Sequence, residues 1–143
     1  MRYFKNQIKN ENNIVVLNQG DDLLKSIEKV IQKENINNGF IASGIGSLSK
    51  ARYHIVEPGD DNPWKDRYIE KEGTIEIVSI SGIIANKEPH LHIALSQEDK
   101  GFGGHLERGS IVLTLAEIVI LELDENMKRI VGKEGFGCLN IEK

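Results

Sequence analysis

The chain has 143 residues and a formal net charge of −4, from 18 Lys and Arg against 22 Asp and Glu. One domain spanning residues 1–143 is expected at this length, and the acidic balance argues against a protein that grips nucleic acid by charge alone. An apolar content of 39% supplies a core that a disordered chain would lack. No run of 18 apolar residues occurs, and no signal-like apolar stretch follows Met1, so the expectation is a cytoplasmic protein with no membrane association.

In chain order, Ile14 to Leu17 is a short β-branched run, and Gly20, Asp21 and Asp22 supply a turn and a helix N-cap. From Asp22 to Glu34, Leu23, Leu24, Ile27, Val30 and Ile31 recur as the stripe of an amphipathic helix, the one main helix, placed at about 21–34. Strands follow at Gly39–Leu48, Ala51–Val56, Thr74–Ala85, His90–Ser96 and Ser110–Leu123, with shorter pieces near Arg129–Val131 and Cys138–Ile141. The segment from Glu57 to Arg67, with Pro58, Gly59, Asp60, Asp61, Asn62 and Pro63, reads as a loop; its spacing does not fit a calcium site. Short links favour antiparallel pairing. The predicted fold class is therefore α+β: a mostly antiparallel, strongly curled sheet with one main helix.

The Ile111–Leu123 stretch is apolar on both parities, so both faces need cover and oligomerisation is expected. On its odd-numbered face Glu117 stands among Leu113, Leu115, Val119 and Leu121. A carboxylate there should be shielded and held by a partner, as the support of a metal-ligating His, as a catalytic acid/base beside a bound water, or in an ion pair to an Arg across a subunit interface; the other reading is a strand-end Glu reaching water. In Ala42–Leu48 the Gly44-x-Gly46 pair lacks the rest of a dinucleotide fingerprint and reads as close strand packing or a bulge. The single cysteine, Cys138, reads as a small buried residue and not as a nucleophile.

The densest chemistry is the run His90-Leu91-His92-Ile93-Ala94-Leu95-Ser96. Strand alternation sends Leu91, Ile93 and Leu95 to one face and both imidazoles to the other. His105 follows Gly103 and Gly104, where a hairpin would return the chain beside that strand. Three imidazoles with one open coordination position suit zinc or another divalent transition metal. His54 has no partner at ligand spacing and is assigned a structural role.

At these residues the sequence resembles the plants-and-prokaryotes conserved (PPC), AT-hook-associated domain family, in its prokaryotic branch with three histidines. The resemblance is carried by Ala42–Leu48 (ASGIGSL), Gly73–Gly82 (GTIEIVSISG), Pro89–Ser96 (PHLHIALS), Gly103–Leu106 (GGHL) and Ala116–Ile120 (AEIVI), in family order. It implies zinc ligation by His90, His92 and His105, a homotrimer, and a fold like that of acetolactate decarboxylase. The chain carries no Arg-Gly-Arg of the kind found in AT-hooks. Two functions follow: a zinc protein that binds or transforms a small molecule, or a DNA-associated regulatory protein with a structural metal.

Overall fold

In the computed structural model, which describes residues 12–59, 64–124, 126–132, 135 and 137–142, the chain runs β1 (Asn12–Asn18), α1 (Leu23–Lys33), β2 (Gly39–Pro58), β3 (Trp64–Ala85), β4 (Glu88–Gln97), β5 (Lys100–Leu106), β6 (Ile111–Glu122), β7 (Asn126–Val131) and β8 (Gly137–Glu142). The first six strands form one sheet in the order β1-β6-β2-β3-β4-β5, every pair antiparallel, while β7 and β8 form a separate hairpin. With eight strands against one 11-residue helix among the described residues, the fold is β-rich. This corrects the α+β expectation. The helix covers only part of the sheet, and the sheet buries much of the rest by curling onto itself.

The curling is set by two strands far longer than their sequence pattern suggests. β2 has 20 residues and joins the two segments expected at Gly39–Leu48 and Ala51–Val56; the register shifts between Leu48 and Lys50, where the strand bends. β3 has 22 residues and starts at Trp64, so Trp64–Arg67, expected as loop, is paired strand. Asp60, Asp61, Asn62 and Pro63 of that expected loop lie outside the described residues. The first half of β2 pairs with β6, and its second half pairs with β5 through Tyr53↔Leu106 and His54↔His105. Strands β2 to β5 thus close into a ring.

α1 forms where its stripe predicts. Asp22 caps it by accepting from the Lys25 N–H at 3.1 Å, and Asn35, with φ of +58°, turns the chain out. Leu23, Leu24, Ile27 and Ile31 are buried against Ile41, Ile84, Val112, Ile118 and Ile120 in one core. The Gly44–Gly46 segment behaves as close packing: a Cβ at Gly44 would overlap Ile80, and one at Gly46 would strike the Leu115 carbonyl. Cys138 is exposed on β8, which corrects its expected burial; the hairpin buries Met127 on β7, while β8 faces outward. No described helix is long and apolar enough to cross a membrane.

One buried hydroxyl ties the ring to the helix layer. Ser110 has no exposed surface; its Oγ accepts from the Arg52 N–H at 2.9 Å and lies 3.0 Å from the Arg52 carbonyl and 3.1 Å from that of Glu107. Its own carbonyl accepts from the Leu23 N–H at the start of α1. Ser110→Ala leaves a shielded backbone N–H without its acceptor, and urea unfolding should register a loss of about 1–3 kcal/mol. A loss under about 0.5 kcal/mol would show that the hydroxyl is not holding this junction.

Candidate functional site

β4 alternates as its sequence predicts, with Leu91, Ile93 and Leu95 buried in the core and His90 and His92 on the opposite face. A short turn at Gln97–Lys100 returns the chain as β5, in the register His92↔His105. The next neighbour of β5 on its other side is β2, in the register His54↔His105. Gly103 and Gly104 make this double pairing possible. A Cβ at Gly103 would fall on the Ile93 carbonyl of β4, and one at Gly104 on the His54 carbonyl of β2. Only a strand without side chains at those two positions lies this close to both neighbours.

The three expected ligands converge. One ring nitrogen from each of His90, His92 and His105 lies within 4.8 Å of the other two. The Nε2 atoms of His90 and His92 are 3.3 Å apart, and the His105 ring meets both partner rings nearly edge-on, at 4.6 and 5.5 Å between centroids. Two nitrogens each about 2.0–2.1 Å from a tetrahedral zinc stand about 3.3–3.4 Å apart, so the His90–His92 spacing already suits a shared ion. Burial and the neighbouring charges of His54, His90 and His92 push His105 down to about 4. Burial, Arg129, His92 and His54 lower His90 too. Both rings are thus neutral near pH 7, as metal ligands must be. The donor set fits a borderline-soft divalent ion.

His54, assigned a structural role from sequence, belongs to this patch. Its ring lies 4.4 Å from that of His105 and nearly parallel to it. Nδ1 is hydrogen-bonded to Glu107 Oε1 at 2.8 Å, and Nε2 stands 3.7 Å from Asp66 Oδ1. His54, Glu107 and Asp66 were not among the expected site residues. The pairing of β2 with β5 joins residues about fifty positions apart, and no local spacing signals it. Beside the histidines opens a cavity of about 500 Å³, walled by Ile55, Val56 and Asp66.

Glu117 is not brought to this patch within the chain. It lies on β6 opposite Val16 of β1 and Ile45 of β2, and β2 and β3 separate β6 from β4. It is exposed, so the expected shielding is not met in the single chain. Around it, Ile14, Val16, Ile45 and Leu115 are 45–74% exposed, an apolar surface on the outward face of the sheet.

A pH dependence follows for the metal-free protein. The folded state holds the His105 proton less tightly than the unfolded chain does, so protonation favours unfolding. This contribution is absent above the ordinary histidine range and grows as pH falls from about 6.5 toward about 4. Thermal unfolding should show a decline over that window that flattens in His105→Gln. An equally steep decline in the variant would assign the loss to other groups.

Residues 8–124 match the Plants and Prokaryotes Conserved (PCC) domain family. A stretch of 104 residues is 31% identical to the bifunctional protein GlmU of Synechococcus sp. (strain JA-3-3Ab), covering 72% of this chain but only 16% of that protein. Among solved structures, a plant- and prokaryote-conserved (PPC) protein of Pyrococcus horikoshii matches with a TM-score of 0.76 and 27% identity over 93% of both chains. A metal-containing protein of Archaeoglobus fulgidus matches with a TM-score of 0.76 and 22% identity over 100% of both. A protein of Bacteroides thetaiotaomicron whose name proposes DNA binding matches with a TM-score of 0.80 and 23% identity over 96% of both. The last two, below a quarter identical, are likenesses of fold alone.

Proposed function

Because the chain belongs to the Plants and Prokaryotes Conserved (PCC) domain family, we propose that its histidine patch is a zinc centre, presented by a homotrimer, that binds or acts on a small molecule. The observation that carries this reading is the convergence of His90, His92 and His105 nitrogens within 4.8 Å of one another. His90 and His92 would hold the ion from β4 and His105 from β5, beside the cavity that the same three rings line. When bound, zinc supplies Lewis acidity to a carbonyl or water oxygen. The chain's own contribution is to orient the ligand and limit water: Ile55 and Val56 offer an apolar wall, and Asp66 accepts a hydrogen bond from a hydroxyl or amine. The structure of the Archaeoglobus relative, named as metal-containing, is consistent with this reading.

Self-association is supported by the outward apolar surface of Ile14, Val16, Ile45 and Leu115, which a second copy of the chain would cover, and the number three comes from the family resemblance. In that assembly Glu117 gains the shielding that the single chain does not provide. A DNA-associated role, with the metal structural, is the second reading, favoured by the name of the Bacteroides relative. The net charge of −4 weighs against it. Gel shifts with a steep salt dependence would favour DNA; no shift would remove it.

Elemental analysis of protein purified without chelator should find about one zinc per chain, and none in His92→Ala, whose fold should survive because Leu91 and Ile93 supply the core face. Well under about 0.3 ion per chain would contradict the metal centre. Sedimentation should give a species of about three times the 16.0 kDa chain mass. A 16.0 kDa species alone at micromolar concentration would contradict the oligomer.

A further inference from the structure

His54 is not part of the His90, His92 and His105 cluster, yet a carboxylate faces each end of its ring. It stands opposite His105 in the β2–β5 register, its side chain is only 14% exposed, and its ring lies 4.4 Å from the His105 ring at an interplanar angle of 23°. Glu107 fixes one end of it at 2.8 Å, and Asp66 faces the other at 3.7 Å. Glu107 is itself pinned, because its N–H donates to the Arg52 carbonyl and its own carbonyl faces Ser110 Oγ. On a different side, the edge of His105 meets His90 at 4.6 Å. A ring flanked in this way cannot swing freely about its side-chain bonds.

Resting on the reading of His90, His92 and His105 as a metal centre, we propose that His54 is a positioning residue. Anchored by Glu107, it acts as a flat wall that keeps the His105 ring turned toward the ion. His54, His105 and Glu107 also bring ligand atoms within 4.8 Å of one another and so resemble a second cation site. That arrangement competes with the first one for His105, and its two imidazoles lie nearly face to face, so neither ring plane points at a common ion without rotation. The wall role needs no rotation and uses the Glu107 hydrogen bond as it stands. What matters in this role is the shape of the His54 ring and its anchoring, not a nitrogen donated to metal.

The test compares His54→Ala, His54→Phe and Glu107→Ala with the wild type. Zinc affinity would be read by competition with a chromophoric chelator, coordination by the visible absorption of the cobalt(II) form, and fold by thermal unfolding without metal. His54→Ala and Glu107→Ala should weaken zinc binding about 10 to 100-fold and alter the cobalt band, whereas His54→Phe, which restores the wall, should return within about threefold of wild type. Stoichiometry should stay at one ion per chain throughout. Wild-type affinity and spectrum in His54→Ala would overturn the proposal. So would a His54→Phe protein that folds but binds as weakly as His54→Ala, since that outcome makes a nitrogen of His54 the requirement. A second equivalent of zinc in the wild type, lost in His54→Phe, would overturn it in favour of the second cation site. If His54→Ala does not fold, His54→Phe and Glu107→Ala carry the comparison. A wild-type protein that takes up no zinc fails the underlying metal reading, and does so before any variant is made.

Discussion

The site depends on β5 fitting between β4 and β2 at ordinary backbone pairing distance. Gly103 and Gly104 allow it: a side chain at either would occupy the space of a neighbouring carbonyl, on β4 in one case and β2 in the other. Once β5 is seated, the next residue, His105, has His92 as its partner on one side and His54 on the other. Leu106 follows, facing inward beside Tyr53 in the core. The same strand pairing thus closes the ring, buries the core and assembles the imidazoles. This couples site geometry to stability, because His105 cannot move away without unpairing the strand that closes the fold.

The sheet divides its work along β2. The second half of that strand belongs to the ring and carries His54, with Tyr53 buried in the core and Ile55 half-buried between core and cavity. The first half lies between β6 and β3 and buries Ile41 in the common core. Its outer face, with Ile45 beside Glu117 and Val16, is apolar and open to water in the single chain. Burial of about 25 cal/mol per Å² makes such a surface a natural place for association. The same strand thus carries part of this surface in its first half, at Ile45, and part of the histidine patch in its second, at His54.

Legibility in the sequence tracked how local each determinant is. Helix α1 was readable to within two residues because its stripe and its Asp22 cap lie within one short segment. The two-histidine face of β4 was readable for the same reason, since alternation needs only neighbours. Gly103-Gly104-His105 was readable as a return strand because the hairpin is short. The balance of fold class was misread because the helix pattern is strong, while the true lengths of β2 and β3 depend on pairing with each other across a bend. His54, Glu107 and Asp66 were missed because they meet only through strand pairings of long sequence separation. Glu117 shows the reverse error: an apolar neighbourhood in sequence implied burial, yet in the single chain that neighbourhood is itself exposed.

The central claim is that three imidazoles on β4 and β5 hold one metal ion, and X-ray absorption at the zinc edge of the loaded protein tests it most directly. The account predicts three imidazole nitrogens at about 2.0–2.1 Å and one oxygen ligand completing a tetrahedral shell, with the zinc and its imidazole signal lost in His105→Ala as in His92→Ala. A first shell of oxygens without the multiple-scattering signature of imidazole, or a spectrum unchanged by His105→Ala, would contradict it.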